Sequence, residues 1–108
     1  MTDKEVAEMI AETGLPTAYY QYPIKAVPPL PYTVYYFPNT DNFGADDKVY
    51  TKVNALNIEL YTAVKSPAVE AQLEDVLENH NLFWNKTEAY LDSEKMYEVL
   101  YEMEIING

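Results

Sequence analysis

The sequence contains no cysteine and no arginine, and it has three glycines among 108 residues. Without cysteine the chain has neither disulfides nor thiolate metal sites, which is typical of proteins from a reducing compartment. Without arginine it lacks the side chain that binds phosphates and guanine in bidentate fashion, so we expect no sequence-specific contact with nucleic acid. No apolar run approaches the roughly 20 residues that span a bilayer, so we expect no membrane contact.

Acidic residues dominate what is present. Eighteen Asp and Glu against seven lysines give a net charge of −11, and ten of these acids follow residue 69. A solvated surface explains most of them individually, although together they create a strong negative field. The first 14 residues are acidic and lack the apolar stretch of a signal peptide, which predicts synthesis in the cytoplasm. A chain of this length forms one domain, residues 1–108, around one core.

The first half of the chain reads as one helix and two strands. Thr2 and Glu5 have the spacing of a capping box, which predicts a helix over residues 2–13, and Gly14 would end it. Aromatic and β-branched residues predict strands over residues 18–22 and 32–37. Alternation of side chains along these strands predicts tyrosines on both faces of the sheet, with Tyr19 and Tyr35 on one face and Tyr20, Tyr22 and Tyr36 on the other.

A proline-rich segment, KAVPPLP, lies between these two strands at residues 25–31. Each proline fixes its own φ and biases the preceding residue away from helix, so the segment should be a stiff, extended lead-in to the second strand. Its spacing also fits a ligand for aromatic-lined peptide grooves, as in a host-type adaptor.

Residues 39–47 are rich in Asn, Asp and Gly and lie between two extended segments, which predicts an exposed loop. The segment lacks the residue order of a calcium loop, and we expect no metal there. A loop of this kind is well placed to touch a partner. The candidate partner-binding residues are Asn39, Asp41, Asn42, Phe43, Asp46 and Asp47.

Residues 48–64 are rich in β-forming residues, and the second half alternates cleanly. Leu56, Ile58 and Leu60 fall on one face, which predicts a half-buried antiparallel strand. Asn54 suggests a turn or bulge within the stretch. Glu59 is the acid with the strongest expectation of partial burial, because it lies among the apolar residues of this strand.

A second helix is predicted over residues 67–80. Ser66 is a suitable N-cap, Pro67 suits the first helical position, and apolar residues recur along one helical face. His80, the single histidine, lies at the end of this helix, where its ring could meet exposed carbonyls.

The last stretch, residues 82–106, has both helical and strand periodicity. We favour two strands, 82–90 and 95–106, joined at Asp92 and Ser93, because the central strands need partners to form a stable sheet. Glu98, Glu102 and Glu104 then project from one wet face. The expected fold is a single α+β domain of order α-β-β-β-α-β-β, with an antiparallel or mixed sheet of four to five strands and a helix packed on one face.

The sequence gives no sign of catalysis. Eighteen acids make chance pairs of carboxylates common, and no serine or cysteine is arranged with His80 as a nucleophile would be. We therefore expect no enzyme activity, no catalytic residues, no cofactor and no bound metal. The eleven tyrosines are more suggestive, because tyrosine is frequent where protein surfaces meet.

Five segments in succession resemble the tail-terminator and head-to-tail joining proteins of long-tailed bacteriophages, especially the minor structural or tail-completion proteins of phages with Gram-positive hosts. They are TGLPTAYYQYP, PPLPYTVYYFP, NFGADDKVY, NIELYTAVKSPAVEAQLEDVL and YEVLYEMEI. None is a specific signature, so the resemblance lies in their order and in the chain length.

The resemblance implies a virion protein that forms a ring, with six subunits expected, at the junction of head and tail. Such a ring would dock on the last ring of the major tail tube protein, stop tube growth and present a surface to the head-completion or connector protein. The loop at residues 39–47 would make the axial contact. Glu98, Glu102 and Glu104 would line an acidic lumen that keeps passing DNA from adhering.

A small acidic protein could instead mimic DNA and occupy the groove of a nuclease or repressor. The charge favours that alternative, and the high tyrosine content does not.

Overall fold

The structure is a computed structural model that describes residues 1–40, 42–45 and 48–107. The described residues form two helices and six strands, with a short 3-10 turn at Ile24–Ala26. In chain order the elements are α1 Asp3–Ala11, β1 Thr17–Tyr19, β2 Tyr32–Tyr36, β3 Phe43–Ala45, β4 Lys48–Thr62, α2 Pro67–Asn79, β5 Trp84–Leu91 and β6 Met96–Asn107.

Both helices begin with the caps that the sequence predicts. Thr2 Oγ1 accepts a 3.2 Å hydrogen bond from the backbone N–H of Glu5, and Glu5 Oε1 accepts one of 2.8 Å from the N–H of Thr2. Ser66 Oγ accepts a bond of 3.3 Å from the N–H of Val69. Side-chain oxygens thereby satisfy helix donors that would otherwise lack a partner. Gly14, which follows α1, has a φ of 76°, a conformation that glycine adopts without strain.

The main sheet has the strand order β1-β2-β4-β6-β5. β1 pairs with β2 in parallel, whereas the β2–β4, β4–β6 and β6–β5 pairs are antiparallel. The long strand β4 also pairs with the short strand β3 through its first residues. The prediction of a single α+β domain with a mixed sheet is confirmed, and β5 and β6 confirm that residues 84–107 form strands rather than a helix.

Helices α1 and α2 pack on one face of the sheet and enclose the core. Leu56, Ile58 and Leu60 of β4 are fully buried there, as their alternation predicts. Other members come from α1, α2 and β6: Val6, Met9, Ile10, Leu73, Val76, Leu77, Val99, Tyr101, Met103 and Ile105. Burial of each large apolar side chain contributes about 1.5–3 kcal/mol, so this face supplies most of the stability of the fold.

Three local predictions are wrong. Asn54 marks no turn or bulge, since β4 keeps an unbroken register with β6 from Lys52 to Thr62. The segment at residues 39–47 is not wholly a loop, because Phe43–Ala45 forms β3. The proline-rich segment is not extended throughout, because its first residues lie in the 3-10 turn. The first two departures have the same cause, which is that strand pairing outweighs local propensity.

Among the described residues, neither helix is long and apolar enough to span a membrane.

Candidate interaction surface

The face of the sheet opposite the helices, here called the open face, carries polar and aromatic side chains. Strand alternation places Asn57, Glu59 and Tyr61 of β4 on it, because their neighbours Leu56, Ile58 and Leu60 point into the core. Antiparallel pairing sets Glu102 opposite Asn57 and Glu98 opposite Tyr61. The open face therefore carries the three predicted lumen residues, Glu98, Glu102 and Glu104.

Four tyrosines form a pocket at one end of the open face. This tyrosine pocket has a volume of about 250 Å³ and is lined mainly by Tyr20, Tyr22, Tyr32, Val34, Glu59 and Tyr61. The ring of Tyr32 lies 5.2 Å from that of Tyr22 and 5.3 Å from that of Tyr61. Val34, only 7% exposed, lies beneath these rings. The rings support one another in positions that leave a concave surface between them.

Ring contacts agree only in part with the predicted division of tyrosines between the two faces, because the rings of Tyr19 and Tyr20, predicted on opposite faces, lie 5.4 Å apart. Tyr19 and Tyr35 have centroids 5.4 Å apart, and Tyr35 belongs to the core. Tyr20 lies 5.6 Å from Tyr36 on the open face. Parallel pairing of β1 with β2, which the sequence did not indicate, brings these rings side by side.

Tyr20 holds its ring at the tyrosine pocket through an unusual backbone conformation. Its φ is 72°, in the left-handed region that bulky side chains rarely adopt. The N–H of Tyr20 donates a 2.8 Å hydrogen bond to the carbonyl of Tyr35, which fixes the turn that follows β1. The ring nevertheless remains 61% exposed. Strained backbone and exposed aromatic area coincide at this residue, a combination that is more common at binding sites than elsewhere.

Two carboxyl groups adjoin the tyrosine pocket. Tyr61 donates a 2.7 Å hydrogen bond to Oε2 of Glu59. Burial raises the pKa of Tyr61, and that hydrogen bond raises it further. Burial likewise raises the pKa of Glu98, with the Glu59 carboxylate adding to the effect. This end of the open face therefore holds negative charge that is only partly solvated.

The predicted lumen residues do share the open face, but they are not equivalent. Glu102 and Glu104 are exposed, whereas Glu98 is half-buried beside Glu59 and Tyr61. We refer to Glu102 and Glu104 as the acidic end. On β4, Glu104 lies opposite Ala55, six residues or about 20 Å from Tyr61, whereas Glu102 lies opposite Asn57, two residues from Glu59 of the tyrosine pocket.

Three of the predicted partner-binding residues, Asn39, Asn42 and Phe43, are among the described residues. Asn39 is exposed, and its carbonyl accepts a 2.9 Å hydrogen bond from the N–H of Ala55. Asn42 Oδ1 accepts one of 3.0 Å from the N–H of Val53. Phe43 begins β3. Asp41, Asp46 and Asp47 lie outside the described residues. The two asparagines thus anchor the segment along β4.

A network of charges on the other side of the sheet joins α2 to β5. Lys65 Nζ lies 2.7 Å from Oε2 of Glu70 and 2.6 Å from Oε2 of Glu88. Lys86 Nζ lies 3.0 Å from Oε1 of Glu70 and 2.7 Å from Oε2 of Glu74. We call Lys65, Glu70, Glu74, Lys86 and Glu88 the charged network.

Glu70 is the most buried acid with a described side chain, at 3% exposed. Burial alone would raise the pKa of its carboxyl, but hydrogen bonds from Lys65 and Lys86 outweigh burial and lower it. The strand pattern predicted partial burial for Glu59, which is half-buried. The helical pattern treats Glu70 as a surface residue, and only the approach of β5 to α2 shows its burial.

His80 does not bind helix carbonyls through its ring. Its Nε2 lies 2.9 Å from Oε2 of Glu12, which follows α1. The contact links the ends of the two helices, and no catalytic arrangement is needed to explain the position of the ring.

No known protein-family model matches this chain, and no curated protein matches it in sequence. Its fold, however, is similar to that of a solved chain from the virion of a native gene transfer agent particle. The TM-score is 0.58 at 12% sequence identity, and the match covers 94% of this chain and 86% of that one. The two chains therefore share a fold over nearly their whole lengths.

Proposed function

We propose that this chain is a structural protein of a phage-like virion, and that its role involves no catalysis. The observation that carries the proposal is the shared fold with a virion chain across 94% of the present sequence. The succession of five segments resembling tail-completion proteins, found without reference to structure, points in the same direction.

More specifically, we propose that the chain forms a ring that caps the completed tail tube and joins it to the head. A ring of identical subunits needs two different patches on each subunit. The two outer strands of the sheet differ as such patches should, because β1 has three residues and β5 has eight. The outer edge of β5 offers backbone N–H and C=O groups for pairing, a known route to association between subunits.

Exposed apolar side chains near the outer strands support association. Phe83, which precedes β5, is 82% exposed, and Tyr90 near its end is 47% exposed. At the other side of the sheet, Tyr19 is 54% exposed. Burying these rings against another subunit would add hydrophobic stabilisation to the strand pairing.

The β3–β4 hairpin, residues 43–45 and 48–51, is our candidate for axial contact with the tube or the connector. It lies at the far end of β4, before Lys52, where the described pairing with β6 begins. A position beyond the core lets a hairpin reach a partner without disturbing the fold. The acidic end, Glu102 and Glu104, would face the channel and repel DNA phosphates.

Particle size and shape test the ring directly. Sedimentation velocity and negative-stain micrographs of the purified chain at high concentration should show a closed ring, for which we expect six subunits. An edge variant, Tyr90→Pro, removes a backbone donor from the outer edge of β5 and should give monomers with native helix and strand content. A wild-type chain that stays monomeric, together with normal tails on virions that lack it, would contradict the proposed function.

A further inference from the structure

The tyrosine pocket has the chemistry of a site for a cationic side chain. Its lining, all within the described residues, combines four aromatic rings with the carboxylate of Glu59 and includes no lysine or histidine. Aromatic faces attract cations that lie within about 6 Å of the ring centre, and a nearby carboxylate strengthens the attraction. A volume of about 250 Å³ admits a side chain but not a folded element.

A hydrogen-bonding group on one of the residues that line the tyrosine pocket is without a partner. The hydroxyl oxygen of Tyr22 is buried and forms no hydrogen bond with the described part of the chain. Buried polar groups in native structures nearly always have partners, so an unpaired one at a pocket indicates a place for a ligand donor. The strained φ of 72° at Tyr20 independently marks the same spot.

We propose that the tyrosine pocket binds an arginine side chain from a partner protein. A guanidinium group is planar, so it can stack against the tyrosine rings while its N–H groups donate to Glu59 and to the Tyr22 oxygen. An ammonium group offers no flat surface for stacking, which favours arginine over lysine at this site.

The occupant is not one of these 108 residues. These 108 residues contain no arginine, and the net charge of −11 makes each copy a poor source of cations for the next. Two of the seven lysines, Lys65 and Lys86, are already held in the charged network. That the partner is a virion protein rests on the proposed function, whereas arginine binding by the free chain does not.

Binding can be measured by NMR titration of the isolated chain with a blocked Gly-Arg-Gly tripeptide. The matched probe replaces arginine with citrulline, which has nearly the same shape and no charge. We expect the arginine peptide to shift the resonances of Tyr20, Tyr32 and Tyr61 with a dissociation constant of about 1–10 mM, and the citrulline peptide to bind about tenfold more weakly.

Variants locate the site. Glu59→Gln should weaken the arginine peptide about tenfold, and Tyr22→Phe about threefold. Glu104→Gln, on the same face but farther from Glu59 along the strand, should leave binding unchanged. Equal binding of both peptides, equal losses in Glu59→Gln and Glu104→Gln, or no binding at 50 mM (about five times the upper limit of the expected constant) would each overturn the proposal.

The alternative occupant is a second copy of this chain. If dilution of the protein alone moved the resonances of the tyrosine pocket, and Tyr22→Phe abolished that movement, the pocket would be an interface between copies and the proposal would be wrong. Because all these measurements use the isolated chain and small peptides, their outcome is separate from whether the chain forms a ring.

Discussion

The hydroxyl of Tyr101, a fully buried residue on β6, donates a 2.6 Å hydrogen bond to Oε2 of Glu74 on α2. Burial raises the pKa of Tyr101, and the bond to Glu74 raises it further, so the hydroxyl remains a donor at all ordinary pH values. The same carboxylate oxygen lies 2.7 Å from Lys86. A directional bond inside an apolar core therefore connects the helix, the charged network and the sheet, which fixes how α2 sits on β6.

Removal of the central carboxylate of the charged network should destabilise the fold. Glu70→Ala leaves Lys65 and Lys86 without their shared partner, and we expect the free energy of unfolding to fall by about 2 kcal/mol. Urea unfolding followed by circular dichroism measures the change. Glu78→Ala, an exposed acid on the same helix, is the control and should change stability by less than about 0.5 kcal/mol. Equal effects of the two substitutions would contradict a role for the network.

The charged network also predicts how the stability of the fold depends on pH. The pKa of Glu70 is below its ordinary value of 4.5 in the folded chain. The contribution of the Glu70 carboxylate to the free energy of unfolding is therefore fully present above pH 4.5. It is lost as the pH falls through the lowered pKa that Glu70 has in the folded chain. Urea midpoints measured from pH 7 to pH 3 should fall less steeply for Glu70→Gln than for the wild type. If the urea midpoints of the wild type and of Glu70→Gln fell equally with pH, the protonation of Glu70 would not be coupled to folding.

Ionisation of Glu98 affects the stability of the fold in the opposite direction. Because its pKa is raised in the folded chain, ionisation of Glu98 opposes folding once the pH exceeds the ordinary carboxyl value of 4.5. Glu98→Gln should therefore stabilise the chain at pH 7 by about 0.5 kcal/mol, the scale of relieving one like-charge contact, and the gain should disappear near pH 4. Thermal melts at both pH values measure it. Glu104→Gln, at an exposed position, is the control and should give no comparable gain in stability. A larger gain in Glu104→Gln than in Glu98→Gln would argue against the pairing of Glu98 with Glu59.

The β3–β4 hairpin can be shortened without touching the core. Replacing residues 43–50 with an Asn-Gly turn keeps the register of β4 with β6 from Lys52 onward, so we expect the variant to fold and to form rings. It should fail to join heads to tails in an assembly assay that uses purified heads and tails. Joining at the wild-type rate would reject axial contact through the hairpin.

Reversal of charge at the acidic end tests the proposed channel wall. Glu102→Lys with Glu104→Lys should leave ring assembly intact but slow DNA release, because cations on the wall would bind phosphates. The control reverses the same number of charges on exposed positions of α2, Asp75→Lys with Glu78→Lys, and should release DNA normally. Release that is unchanged in the first variant would refute an acidic lumen.

Much of the fold could be predicted because its signals are local. The capping box at Thr2, the N-cap at Ser66 and the alternation from Leu56 to Leu60 each depend on neighbouring residues, and each is found as predicted. The prediction of a turn or bulge at Asn54 was wrong because it considered only the preference of the side chain. In the sheet, the backbone of Asn54 pairs with Ile105 and Thr40. Cross-strand pairing outweighs intrinsic preference at such positions.

The candidate site could be predicted only in part, because it depends on contacts between distant segments. The tyrosines could be divided between faces from their spacing, but the pocket requires the parallel pairing of β1 with β2 and the left-handed turn at Tyr20. Likewise, burial of Glu70 depends on Lys65 and on Lys86, which lies on a strand that follows α2. Single-sequence patterns carry no information on these approaches.

β4 runs without interruption for 15 residues, from the hairpin to Thr62 beside α2. A strand of this length is about 50 Å long, which equals the longest dimension of the molecule. Pairing with β6 stiffens the strand from Lys52 to Thr62, whereas residues 48–51 pair with β3 across a shift in register. A partner that grips the hairpin would consequently act on the rest of the subunit through the start of the β4–β6 ladder at Lys52.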